Sequence, residues 1–105
     1  MSVQLLVIYP PPKDPAAFER AYRQEHLPYA GPRLVSNGAT GVETKKVLGS
    51  PSGDPFAFWI SFIRFPDAAT AKACAQSKGG QEALNHAASI STGGQPQHLL
   101  IGDAG

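Results

Sequence analysis

The sequence predicts an α+β domain: a four-stranded antiparallel sheet with helices on one face, its elements in the order β-α-β-β-α-β. Three observations carry this. The run Phe56–Phe65 is apolar at both even and odd positions, offering Phe56, Phe58, Ile60 and Phe62 to one face and Trp59, Ile63 and Phe65 to the other. Leu5–Tyr9 behaves the same way, whereas the remaining strand candidates are charged or short. Strand side chains alternate between faces, so a half-buried strand alternates apolar and polar, and a strand apolar on both sides implies a sheet covered on both sides. The chain has helical sequence for only one side. The second face therefore calls for another copy of the chain, or a ligand held between copies.

At 105 residues the chain is read as one domain, 1–105, since a chain of this length supports a single core. It is 42% hydrophobic and 16% charged with a net charge of +1, which argues against disorder and against nucleic acid or an anionic membrane as partner. The single cysteine, Cys74, excludes an internal disulfide framework and a multi-cysteine metal site, and fits a reducing, cytoplasmic compartment. The start of the chain reads as a first strand and not a secretory leader, because it lacks basic residues and is stopped by Pro10-Pro11-Pro12. No stretch approaches the ~18 apolar residues that span a bilayer.

The elements follow in order. A first strand covers Val3 to Tyr9. Asp14 is placed to cap a helix with Pro15 at its first position. Phe18, Tyr22, His26 and Tyr29 then recur on one face, and Pro28 with Gly31-Pro32 is expected to end the helix, leaving Arg33 to Gly38 as a loop. A second strand, Thr40 to Leu48, carries Glu43, Lys45 and Lys46, which suits an edge. Gly49 to Pro55 is rich in turn residues and leads into the strand Phe56–Phe65. Pro66-Asp67 opens a second helix with a small-residue stripe of Ala68, Ala71, Cys74 and Ala75. Ser77-Lys-Gly-Gly80 interrupts it, and Ser77 can cap a further short helix from about Gly80 to Ile90, with Ala83, Leu84, Ala87 and Ala88 inward and Glu82, Asn85, His86 and Ser89 solvated. Gln97 to Ile101 is a short last strand. This order is the split arrangement of a ferredoxin-like sandwich, in which the first and third strands are central. The two-sided apolar strands are the first and third, so topology and residue pattern agree.

At Leu6-Val-Ile-Tyr-Pro10, Phe18-Glu-Arg-Ala-Tyr22, Glu25-His26-Leu27-Pro28, Ser77-Lys-Gly-Gly-Gln81 and Thr92-Gly93-Gly94 the chain resembles the EthD family. That family is named for ethyl tert-butyl ether degradation and lies within the dimeric α+β barrel superfamily. Tyr22-xxx-His26-x-Pro28 is the most specific of these pieces. The resemblance implies a homodimer whose sheets face each other as a barrel, with a pocket in each subunit between sheet and helices or at the barrel mouth. Related families isomerise muconolactones, oxidise or cyclise polyketide-like aromatics, or degrade haem, and others have no known activity.

His26 is the first candidate for chemistry. It lies four residues after Tyr22 on the same helical face, where an imidazole can move a proton near neutral pH and Tyr22 can orient it or polarise a substrate oxygen. The competing reading makes His26 a cap on the helix C-terminus at Pro28. Phe58, Trp59 and Phe62 are candidates for an apolar wall that stacks an aromatic ligand, though core on one face and dimer interface on the other explain most of the aromatics more simply. Arg64 offers a cation for a carboxylate or lactone oxygen, or pairs with Glu43 or Asp67 at a strand end. His86 and His98 read as exposed, and Cys74 as core packing. The three histidines lie on separate elements without zinc-site spacing, and nothing positive suggests haem on His26 or His98. The glycine pairs form no phosphate loop. No metal or cofactor is expected. Two functions stay open: a small cofactor-independent enzyme acting on an apolar organic molecule, with His26 as general acid or base in an isomerisation, dehydration or related step; or a non-catalytic binding or accessory protein of a degradative oxygenase pathway.

Overall fold

A computed structural model describes residues 2–104. Strand β1 (Val3–Tyr9) leads into a helical segment of three parts: α1 (Pro15–Ala21), a π turn (Tyr22–His26) and α2 (Leu27–Ser36). Then come β2 (Gly41–Lys46), β3 (Trp59–Phe65), α3 (Ala68–Gln76), α4 (Lys78–Ile90) and β4 (Gln97–Ile101). The sheet order is β2-β3-β1-β4 with every pair antiparallel. This is the ferredoxin-like fold: the two-sided apolar strands β1 and β3 are central, and the charged β2 and short β4 are the edges.

Local chemistry sets most helix ends as expected. Asp14 accepts the Ala17 N–H at 3.1 Å and Asp67 accepts that of Thr70 at 2.7 Å. The Ser77 hydroxyl donates to the Cys74 carbonyl at 2.6 Å while accepting the Gly80 N–H at 3.0 Å, so one residue closes α3 and opens α4. Such caps contribute typically about 1 kcal/mol each. In α3 the inward pair is Ala71 and Cys74, with Ala68 exposed.

The first helical segment departs from expectation, continuing through Pro28 and Pro32 to Ser36. The π turn explains this. The Leu27 N–H bonds the Tyr22 carbonyl five residues back, so α2 starts a new hydrogen-bond register with Pro28 in its first turn, where a missing N–H costs little. Pro32 does lie within α2. Its lost bond is offset by burial of Ala30 and Leu34 in the main core and by packing of α2 on α4.

The sheet's two faces are unequal. Leu5, Val7 and Tyr9 of β1 and Trp59, Ile63 and Phe65 of β3 meet Phe18, Tyr22 and Leu34 in the main core. Leu6, Ile8 and Ala57 form a second cluster with Ile60, Phe62 and Val47. Leu99 of β4 stands opposite Leu6 on that second face and Ile101 opposite Gln4, and they remain 51% and 40% exposed. Phe58 does not join this face. Its N–H bonds the Tyr9 carbonyl although Tyr9 already pairs with Trp59, so two residues answer one in the manner of a β-bulge, and both rings turn to the helix side. Phe58 thus lies 5.9 Å from Phe18 and 6.0 Å from Trp59, centroid to centroid.

Two glycines test this packing. A Cβ on Gly80 would lie 1.8 Å from the Cys74 carbonyl oxygen, a backbone atom that cannot swing away. Gly80→Ala is expected to cost about 1–3 kcal/mol and to lower the thermal midpoint by on the order of 10 °C. Gly31, inside α2 with nothing within 4 Å of its Cβ position, behaves oppositely: Gly31→Ala should stabilise by about 0.4–1 kcal/mol. Thermal unfolding followed by circular dichroism reads both, and an unshifted Gly80→Ala midpoint contradicts the close α3–α4 crossing.

Candidate functional site

The π turn delivers Tyr22 and His26 to the helix–sheet interface, 1% and 6% exposed. The Tyr22 hydroxyl lies 2.6 Å from Ser61 Oγ and 2.8 Å from Thr44 Oγ1. It therefore ties the helical segment to the middle of β3 and to β2. Ser61 is a buried polar residue in the apolar floor of the sheet, satisfied by this bond as a buried hydroxyl must be. The Tyr22 ring meets Trp59 edge-on at 5.3 Å and Tyr9 at 5.9 Å. Burial, and then Tyr22 beside it, pushes the Tyr9 phenol far up, so it stays protonated. Among the described residues the buried Tyr9 hydroxyl and Trp59 indole N–H have no hydrogen-bond partner.

His26 does not cap a helix end, because the helix does not end there. Its Nδ1 lies 2.9 Å from Nδ1 of His86, with the rings nearly parallel, 5.1 Å apart at 11°. Burial first and the His86 ring second pull the His26 pKa down to about 4, so at neutral pH its imidazole is uncharged. A face of the His86 ring stacks on Tyr29 at 4.7 Å. The Arg33 guanidinium covers Tyr29 at 3.6 Å and pairs with Glu82 at 3.5 Å. A chain of planar groups, His26 joined edge to edge to His86 and then Tyr29 and Arg33 layered face to face, thus runs from the buried imidazole to the half-exposed Arg33–Glu82 pair.

His86 was expected in solvent and is instead half-buried. The reason is the continuation of α2 past Pro28, which lays Tyr29 over the polar side of α4. The spacing of His26 and Tyr29 on one helix and of Glu82 and His86 on the other was visible in the sequence, but nothing local says that those faces meet.

Tyr22, His26 and Ser61 open onto a cavity whose wall is otherwise apolar, including Leu27, Leu34, Val42, Ile63 and Leu84. Its empty volume is about 370 Å³ including the open mouth, but the enclosed part holds only about one water molecule. An occupant of ring size must displace Leu27 or Leu84, both half-buried.

The other sequence candidates do not come together here. Trp59 packs on Tyr22, Phe58 packs on Trp59 and Phe18, and neither lines the cavity. Phe62 and Arg64 are on the opposite face of the sheet, because alternation along β3 sends Ser61 and Ile63 to the helix side. Arg64 is exposed and lies 3.8 Å from Glu43. His98 is exposed on β4. Cys74 is buried away from the cavity, its thiol pKa raised by burial. Among the described residues no group of three or more His, Cys, Asp or Glu is arranged to hold a metal ion, and no helix is long and apolar enough to cross a membrane.

A helix-covered ferredoxin-like sheet with a half-closed apolar cavity defines the class, and solved structures narrow it. The chain is similar over 98% of its length to 99% of an EthD family protein from Bacillus halodurans C-125, with TM-score 0.80 and 20% identity. A dimeric ferredoxin-like protein of unknown function from Jannaschia sp. CCS1 follows at TM-score 0.73 and 15% identity, covering 98% of this chain and 100% of that one. SnoaB, a cofactor-independent oxygenase from Streptomyces nogalater, matches at TM-score 0.66 and 12% identity over 99% and 94%. The fold is that of EthD proteins and their dimeric ferredoxin-like relatives. No family model and no curated protein matches the sequence.

The depressed His26 pKa has a measurable consequence. In the unfolded chain His26 takes its proton near 6.5 and in the folded protein only near 4. The unfolded state therefore binds more protons between these values, and stability present in full above about pH 6.5 is lost as pH falls toward 4. The shift corresponds to about 3 kcal/mol. Urea unfolding at pH 7.5 and 4.5 should show this loss in the parent and a much smaller one in His26→Asn; His98, also depressed by burial, remains in both and cancels. Equal losses in the two proteins contradict a buried neutral His26.

Proposed function

We propose that this protein binds a small apolar organic molecule carrying one oxygen function in the cavity beneath α2, and carries out a cofactor-independent proton transfer on it. The observation that supports this most is the convergence of Tyr22, His26 and Ser61 on one otherwise apolar cavity. A few polar groups in an apolar pocket orient a ligand without competing with its burial. His26, neutral at pH 7, serves as general base, and as acid once it holds a proton. The Tyr22 and Ser61 hydroxyls, already joined, offer a donor or an acceptor to a ligand oxygen. The likeness to a cofactor-independent oxygenase fits chemistry without a bound helper group, and isomerisation or dehydration of a carbonyl compound needs nothing more. The tight enclosure of the cavity favours a second reading, a non-catalytic protein that sequesters a catabolic intermediate for a degradative oxygenase pathway.

The exposed apolar face of the sheet supports the protein acting as a homodimer. Half-buried Ile60 and Phe62, packed with buried Leu6 and Ile8 and continued by exposed Leu99 and Ile101, form an apolar surface on the face away from the main core, of the kind that marks an interaction site. The similar Jannaschia protein is described as dimeric. Light scattering at micromolar concentration is expected to return the dimer mass for the parent and a monomer mass for Phe62→Glu; a monomeric parent contradicts the pairing.

Mass spectrometry of small molecules released from gently denatured protein tests the site. An aromatic or lactone-like compound retained by the parent and lost from His26→Ala and Tyr22→Phe is the expected result. With that compound as substrate, His26→Ala should lower turnover by about 10²–10⁴-fold while leaving the fold intact. Binding without turnover in the parent selects the sequestering protein. Retention unchanged in both variants contradicts the site.

A further inference from the structure

Building on the reading of the cavity as the working site, we propose that His26 and His86 form a single proton relay, with His86 the positioning residue that connects the buried ring to solvent. The geometry leads there directly. Two imidazoles meeting through Nδ1 atoms 2.9 Å apart share one proton between them, because only one of the two nitrogens can donate. In the uncharged pair the accepting ring must carry its own proton on Nε2, and the donating ring has a bare Nε2. When His26 donates, its Nε2 is the free base of a ring that lines the cavity.

The transfer balances with neither ring left charged, the negative charge resting on the bound molecule in the cavity that Tyr22 and Ser61 also line. An X–H bond of the bound molecule breaks, its electron pair staying on X, as an N–H bond forms at His26 Nε2. The Nδ1–H bond of His26 breaks as one forms at His86 Nδ1. The Nε2–H bond of His86 then breaks and its proton passes to water. Both rings end neutral, each with its proton on the opposite nitrogen. Running backward, the same steps return a proton to the molecule, on X or on another atom, as an isomerisation requires.

The surroundings favour this over a lone base. An imidazolium at His26 is disfavoured by burial and by His86, so a single ring there would hold a proton poorly at neutral pH. His86 is half-buried and so keeps contact with solvent, unlike buried His26. His26 meets the Tyr22 ring on its own segment, and His86 meets Tyr29 on α2. The charged groups nearest the outer end, Arg33 on α2 and Glu82 on α4, are paired with each other. The stack on Tyr29 holds the His86 ring parallel to His26 and so keeps the two Nδ1 atoms in line.

The test needs no substrate. In protein labelled with ¹⁵N-histidine at pH 7, nitrogen–nitrogen coupling across the hydrogen bond should join the two Nδ1 atoms, with the rings in opposite tautomers. The exchange of the His26 ring proton with water is then compared in the parent and in His86→Phe, which keeps a ring against Tyr29 but has no nitrogen. We expect exchange at least ten-fold slower in a His86→Phe protein of near-parent melting temperature. His86→Gln, which can bond His26 Nδ1 but has no second ring nitrogen, should slow exchange similarly and serves if His86→Phe does not fold. Unchanged exchange in a folded variant, or absence of the coupling, overturns the relay. Unchanged exchange beside a ligand retained by His26 overturns the relay alone; His86-dependent exchange in a protein that retains no ligand supports the relay and counts against the proposed function.

Discussion

The rest of the site depends on one hydrogen-bonded junction, the Tyr22 hydroxyl held between Ser61 and Thr44. It joins the π turn to β3 and β2 at the centre of an apolar interface. A buried hydroxyl left unpaired costs about 1–3 kcal/mol, so the three groups strongly favour staying together. That fixes the depth at which the turn rides on the sheet, and with it the height of His26 one turn on. The wide π turn then restarts the helix as α2, carrying Tyr29 across the polar side of α4. Position of the tyrosine, register of the turn and pairing of the histidines are consequences of one another.

Much of this was legible in the sequence, and the reason is the same at each point. The central strands announced themselves because Leu5–Tyr9 and Phe56–Phe65 are apolar on both faces, a pattern tied to strand order. Asp14, Asp67 and Ser77 were readable as caps because capping is local chemistry between residues three apart. Tyr22 and His26 stood on one helical face because their spacing allows little else. What escaped depends on contacts between distant segments or on a backbone irregularity. The prolines at 28 and 32 promised a helix end, and only the π turn lets α2 continue. The turn of Phe58 to the helix side needs a bulge opposite Tyr9. His86 looked solvated because helical periodicity sees its own helix and not the neighbour lying over it. Arg64 and Phe62 were grouped with the site for their chemistry, a cation and an aromatic wall, while strand alternation sends them to the other face.

The two faces of the sheet divide the labour. On the helix side the core is continuous except where Ser61, Tyr22 and His26 interrupt it, and there the packing leaves the cavity. On the other side Leu6, Ile8, Ile60 and Phe62 gain nothing from the helices, and the charged residues of β2 form a rim beyond them. Dimerisation through that face would leave the cavity accessible from the helix side, so assembly and ligand entry need not compete. Entry does require movement, since Leu27 and Leu84 narrow the cavity and the enclosed space is small. Helix α2, with two prolines and a π turn at its start, has fewer backbone bonds to hold it than a regular helix and is the element best suited to give way.

A crystal structure of the protein soaked with phenol, an apolar ring with one oxygen, measures the central claim most directly. The account predicts the ring among Leu27, Leu34, Ile63 and Leu84, its hydroxyl within hydrogen-bond distance of His26 or of the Tyr22–Ser61 pair, and Leu27 or Leu84 displaced. Phenol bound only on the opposite face of the sheet, or an unchanged cavity at saturating phenol, would contradict it.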